Sequence, residues 1–190
     1  MISLDPKTTA LVLIDLQNFI VGRSIAPHSG ADVVARCKSL AETFRAAAAP
    51  VVLVQVAFST DGADAPPQNV DEPMQRPAGG FPPGALDLAE GLAAPGDLLV
   101  TKRQWGAFYG TELELQLRRR GVKTIVLAGI ATNFGVESTA RQAWEMGFEL
   151  LLVEDCCASV SAELHDMAIR HILPRLSHVV TSADLAFAAI

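Results

Sequence analysis

The chain has 190 residues, of which 50% are apolar and 19% charged, and its 15 Lys and Arg against 21 Asp and Glu give a net charge of −6. A chain this apolar does not stay disordered, and a negative balance with no basic run longer than Arg118–Arg119–Arg120 argues against a nucleic-acid or anionic-membrane partner. No stretch reaches the ~18 consecutive apolar residues of a spanning helix. Asp5 and Lys7 leave no apolar core for a signal peptide. Three cysteines, two of them adjacent, give no disulfide framework. A cytoplasmic protein with one domain over 1–190 is expected.

In chain order, Thr9–Ile14 (TALVLI) is an uninterrupted apolar run that stops at Asp15. Residues Ala31–Ala48 set Val33, Val34, Cys37, Leu40, Ala41 and Phe44 at helical spacing. Val51–Phe58 is the next apolar run and Asp97–Val100 the third. Between them, from Ser59 to Pro95, lie most of the eleven prolines and no sustained periodicity. A stretch that long is either functional or mobile; it is expected to cover the active site, to reach a neighbouring subunit, or to be a plain surface loop. Leu113–Arg120 is a helix, with Leu113 and Leu117 on its stripe and Gly121 as its cap. Thr124–Ala128, Leu150–Val153 and His178–Val180 are further strands, and Gly135–Met146 and Ser161–Ile172 further helices. Strands that are apolar throughout, rather than alternating, are covered on both faces. Interleaved with helices, they predict a three-layer α/β/α, Rossmann-like domain with a six-stranded parallel sheet.

Ligands of such sheets bind beyond the carboxyl ends of the strands. The residues just past each strand therefore make up the candidate site. Asp15, Gln17, Asn18 and Phe19 come after the first, and Lys102, Arg103, Gln104 and Trp105 after the third. Gly129-Ile-Ala-Thr-Asn-Phe-Gly135 comes after the fourth, and Glu154, Asp155, Cys156 and Cys157 after the fifth. A carboxylate at Asp15, after six uncharged residues, is expected to be desolvated, with Lys102 the obvious cation. Such a pair can orient a substrate, hold a water or pass a proton; it can equally cap two strand ends. In the Gly-bounded turn, Thr132 or Asn133 is expected to cap the next helix, leaving amides near Phe134 and Gly135 free for an anion. No Lys-Ser/Thr comes after the second glycine, so the turn is not a P-loop.

Three motifs in order, Leu13-Ile-Asp15-Leu-Gln17-Asn-Phe19, Thr101-Lys102-Arg-Gln-Trp-Gly-Ala107-Phe108 and Ala128-Gly-Ile-Ala-Thr132-Asn-Phe-Gly135-Val-Glu-Ser-Thr139-Ala140, resemble the isochorismatase-like hydrolases, a family that includes the cysteine hydrolases. The resemblance runs from Thr9 to about Leu173. It implies a homo-oligomer with its active site at the carboxyl edge of the sheet, with Asp15 and Lys102 as the catalytic Asp and Lys. It also places a cis peptide at Ile130–Ala131. The family's nucleophilic cysteine falls at Gly135, which has no side chain.

That departure closes the thiolate route to an acyl intermediate. Isochorismatases with glycine at this position cleave a vinyl ether, which needs a proton donor and a water but no covalent nucleophile. The histidine metal ligands of related nicotinamidases have no counterpart in Ser59–Arg76, so no metal and no cofactor are expected. Phe19 and Trp105 are expected to wall the pocket, Gln17 and Arg103 to hold a substrate carboxylate, and Ile130, Ala131, Thr132, Asn133 and Phe134 to complete the substrate site. Thr132 and Ser138 lack an evident histidine base, since His28, His165, His171 and His178 lie outside the motifs. Arg103 has a second reading as the partner of a surface carboxylate. Two other readings of the whole chain stay open: a non-catalytic member that binds a small molecule, and an amidase using Cys156 or Cys157.

Overall fold

The computed structural model describes residues 1–74, 77 and 80–187. Its main sheet has six strands, all parallel, in the order β4-β3-β2-β5-β6-β7: β2 is Thr9–Ile14, β3 Val51–Val56, β4 Leu98–Lys102, β5 Thr124–Ile130, β6 Glu149–Ala158 and β7 His178–Val180. Every residue of β2 is buried, as an uninterrupted apolar strand at the centre of a covered sheet must be. The expected three-layer α/β architecture is therefore the one found. A short parallel pair, β1 (Ile2–Leu4) and β8 (Leu185–Phe187), ties the two ends of the chain together outside that sheet. Its strands have three residues each, too few to show a period in the sequence.

The first helices match their sequence signals, and the later ones depart from them at their ends. Helix α1 is one turn, Asn18–Val21, and α2 spans Gly30–Ala46. Ser29 caps α2 by accepting from the Asp32 amide at 3.1 Å. Its buried stripe is Val33, Val34, Cys37, Leu40, Ala41 and Phe44, as the spacing predicts. Helix α3 is Leu113–Arg119 and α4 is Glu137–Glu145; the glycines after them, Gly121 at φ +72° and Gly147 at φ +79°, supply the left-handed exit. Helix α5 is Ala162–Met167, continued by a π turn over Ala168–Ile172, so the expected Ser161–Ile172 helix is split.

Two strand boundaries move in ways that matter for the site. Strand β4 runs on to Lys102, which pairs with Val56 of β3, so Lys102 is the last residue of a strand and not part of the loop after it. Strand β6 continues well past Val153 because its register on β5 shifts: Leu127 faces Leu152, but Gly129 faces Cys157. The residues looped out by that shift include Glu154 and Asp155. Their charges read as a strand end in the sequence, whereas Asp155 in fact accepts from the Ser182 amide at 2.7 Å.

At Gly129 the backbone of β5 lies hard against Ile14 of β2. Its φ is +126°, and a Cβ there would lie 2.2 Å from Ile14 O. Gly129→Ala should cost more than the ~1–3 kcal/mol of ordinary backbone strain, since a strand must also move. Urea unfolding is the check, and an unchanged midpoint would refute the close packing.

Candidate functional site

The chain leaves β2 toward β3 and β4 on one side, and leaves β5 toward β6 and β7 on the other. The carboxyl ends of β2 and β5 thus flank the switch point where open parallel sheets take their ligands. Asp15 comes directly after β2, and the turn 131–136 directly after β5. Asp15 has the left-handed φ of +54°. That region is sparsely used by residues other than glycine and is tolerated best by Asn and Asp. Its amide still donates to Val54 O at 2.9 Å, so the backbone keeps its place beside β3 as the chain turns.

Lys102 reaches the same point from two strands away. Its ammonium is 2.8 Å from Asp15 Oδ2 and donates to Trp105 O at 2.5 Å. Asp15 is 7% exposed and Lys102 1%. Gly135 supplies the third side of the corner. A Cβ built on it would sit 3.1 Å from Asp15 Oδ2, 3.1 Å from Lys102 Nζ and 3.0 Å from Ile14 Cγ2. The missing side chain therefore lets the chain pass tightly against a carboxylate, an ammonium and a methyl group, where a Cβ would press on all three. Burial pushes the Asp15 carboxyl up to about 6, against the charge of Lys102 and its hydrogen bond, which pull it down. Its second oxygen, Oδ1, is buried with no hydrogen-bond partner among the described residues.

The Ile130–Ala131 peptide is cis, at the position the resemblance implies. The residues after it form a π turn, Thr132–Val136, before α4 begins at Glu137. The expected helix from Gly135 is corrected accordingly, and so are two expectations for side chains and amides. Neither Thr132 nor Asn133 caps the helix. Thr132 Oγ1 lies 2.8 Å from His165 Nδ1, both groups buried, and Asn133 Oδ1 accepts from the Ser159 hydroxyl. The Phe134 amide is not free for an anion, because it donates to Ala131 O at 3.1 Å. Thr132 does, then, have a histidine beside it. The pairing spans 33 residues of sequence, so no local pattern announces it. Burial holds His165 below its ordinary range, which keeps the ring neutral at neutral pH, and its Nε2 has no partner among the described residues.

The expected pocket walls divide. Gln17 is fully buried, and its amide is spent on Val56 N and O and on Leu86 O, at 2.8, 2.9 and 2.6 Å. It fastens the proline-rich excursion to β3 and does not reach toward a ligand. The excursion also docks on its neighbours, with Asn18 N on Asp87 O at 2.9 Å, Phe19 N on Ala85 O at 2.8 Å and Ala89 N on Leu16 O at 2.8 Å. Arg103 pairs with Asp64 of the excursion at 2.6 Å, which matches its reading as the partner of a surface carboxylate. Residues 75, 76, 78 and 79 of this segment lie outside the described residues. The expected aromatic walls form two edge-to-face pairs: Phe19 with Phe81 at 4.8 Å, and Trp105 with Phe134 at 4.9 Å. Ile130 is buried and Ala131 packs against the core, so both shape the site from behind.

The thiols sit elsewhere. Cys37, Cys156 and Cys157 are all fully buried, and burial drives the Cys157 thiol far up from its usual range. Among the described residues no group of three or more His, Cys, Asp or Glu is placed to hold a metal ion, and no helix is long and apolar enough to cross a membrane.

Residues 9–184 match the model of the isochorismatase domain. The isochorismatase family protein YecD of Escherichia coli O157:H7 is 53% identical over 94% of this chain and 95% of its own length. The ureidoacrylate amidohydrolase RutB of Rhizobium rhizogenes is 31% identical over 81% of this chain and 72% of its own. A solved isochorismatase family protein from Burkholderia thailandensis superposes with a TM-score of 0.90 at 46% identity, covering 96% of this chain and 95% of that one. Motifs, sheet order and relatives converge, and the chain belongs to the isochorismatase family.

Proposed function

We propose that this protein is a hydrolase of a small metabolite that works without a covalent cysteine intermediate, by acid–base chemistry at Asp15 and Lys102, with vinyl-ether hydrolysis as the reaction the site fits best. The observation that carries this reading is the corner at Gly135. A carboxylate and an ammonium meet where the family's nucleophile would project, and the residue there has no side chain. Asp15, with a pKa near 6, holds a proton over part of the physiological range. Burial wins over the pull of Lys102, which is what a proton donor beside a cation requires.

The reaction balances with these groups and water alone. The Asp15 proton goes to the terminal carbon of the enol ether, and the ether oxygen shares the positive charge that develops on the adjacent carbon. Water adds to that carbon and returns a proton to the Asp15 carboxylate. The hemiketal then breaks its bond to the ether oxygen as its hydroxyl proton passes to that oxygen, giving a ketone and an alcohol. Lys102 holds Asp15 in place and offers a cation to an oxygen that gains charge. Trp105, Phe134, Phe19 and Phe81 offer aromatic surface beside the residues that carry the chemistry. A small-molecule substrate and a homo-oligomeric state belong to the same proposal.

A second reading, an amidase, is favoured by the likeness to the ureidoacrylate amidohydrolase RutB. It would need Cys156 or Cys157 as nucleophile. Both are fully buried in the core cluster, and Cys37 Sγ lies 3.6 Å from Cys156 O. Burial pushes the Cys157 thiol up, which makes it a poor thiolate.

Pyruvate release from isochorismate, run beside a panel of amides, tests the proposal. Asp15→Asn should lower turnover of the substrate found by about 10²–10⁴-fold, the usual contribution of a positioned acid; unchanged turnover removes Asp15 from the mechanism. With Asp15 as the acid, kcat/KM should fall as pH rises through about 6, because the proton it donates is lost there. A rate that climbs through the same range would make Asp15 the base. Iodoacetamide should leave the native enzyme active, whereas inactivation would favour the amidase. Gly135→Cys puts a thiol beside Lys102, and it should alkylate faster than free cysteine. A rate no faster than free cysteine would mean that the corner is not built as described.

A further inference from the structure

Helix α4 begins just after Gly135, and two of its side chains hold the loop beyond Lys102. Thr139 Oγ1 donates to Gly135 O at 2.7 Å and accepts from the Ala107 amide at 3.1 Å. Less than one turn further on, Gln142 Oε1 accepts from the Phe108 amide at 3.3 Å. Gly106 passes so close beneath this side chain that a Cβ there would fall 2.3 Å from Gln142 Oε1. In the same loop, Trp105 O accepts from the Lys102 ammonium. An unbroken set of contacts thus runs from Lys102 through Trp105 and Ala107 to Thr139, and back to Gly135.

A threonine hydroxyl that donates to the carbonyl four residues earlier is common inside helices and usually ends there. Here the same oxygen also accepts an amide from a different segment. Thr139 is 1% exposed and Ala107 is fully buried, so water cannot readily stand in for either partner. We propose that Thr139, supported by Gln142, is a positioning residue whose hydroxyl sets the distance between the Lys102 ammonium and the backbone at Gly135. The functional part of this inference rests on the reading of Asp15 and Lys102 as the reacting pair; the geometric part does not.

The test uses the whole chain as wild type and as Thr139→Val, Thr139→Ser and Gln142→Ala. Titration of Asp15 is monitored by ¹³C NMR of labelled aspartate carboxyls, assigned with Asp15→Asn, and needs no substrate. Valine keeps the shape of threonine but leaves the Ala107 amide unsatisfied. In Thr139→Val the ammonium should drift from the corner, and the midpoint of Asp15 should rise further above about 6, since Lys102 is what pulls it down. Thr139→Ser should restore the wild-type midpoint. Gln142→Ala should move it in the same direction by less, and it keeps the test decisive if the valine variant does not fold. With a substrate in hand, Thr139→Val should lower kcat about 10–100-fold with little change in KM, as small misplacements of reacting groups do. An Asp15 midpoint that stays put in both Thr139→Val and Gln142→Ala, or that serine fails to restore, overturns the proposal. A shifted midpoint beside normal turnover by Asp15→Asn would leave the positioning role standing and sink the hydrolase reading instead.

Discussion

A carboxylate and an ammonium buried together at 2.8 Å organise this molecule's sheet edge. Two charges removed from water cost several kcal/mol each before any attraction is counted, and their mutual attraction repays that only in good geometry. Here the repayment is incomplete. The carboxyl is left with a raised pKa and one oxygen without a partner among the described residues. An arrangement optimised for stability alone would bury apolar side chains instead. The surroundings are built to hold the pair nonetheless: left-handed backbone at Asp15, a carbonyl from Trp105 on the ammonium, and strand ends on both sides. Removing one partner would leave the other uncompensated, at a cost of about 3–5 kcal/mol.

The extended segment between β3 and β4 takes its place from the same edge. It carries no regular element among its described residues, yet its backbone bonds to residues 16–19 and its Asp64 pairs with Arg103. It is therefore anchored on both sides of the ion pair, next to the residues just past β2 and those just past β4. Gln17 is central to this, bonding at once to β3 and to the excursion. Its place just past the first strand suggested a ligand contact from sequence. In the fold it satisfies backbone groups that the irregular segment would otherwise leave unpaired.

The sheet was legible because its strands are apolar along their whole length and its helices carry caps and stripes. Thr9–Ile14 and the α2 stripe needed nothing beyond local pattern. Asp15 and Lys102 could be named because each closes an apolar run. What local pattern could not supply was any contact between distant segments. The Thr132–His165 pair, the Thr139–Ala107 bond and the Arg103–Asp64 bridge all join residues more than thirty apart. The extension of β6 was hidden because its bulge places two acidic residues inside a strand, where their charges imitate an end. The π turn was hidden for a related reason: its sequence is compatible with a helix starting at Gly135, and tertiary contacts decide otherwise.

The bare corner at Gly135 has an evolutionary consequence. Some glycine codons differ from cysteine codons by a single base, so one point mutation could place sulfur between Asp15 and Lys102. The resemblance read from the motifs implies a sulfur at this position in the cysteine hydrolases. Such a side chain would meet the Ile14 methyl, the Asp15 carboxylate and the Lys102 ammonium all at about 3 Å, so sulfur would enter here only as those three neighbours give by a few tenths of an ångström.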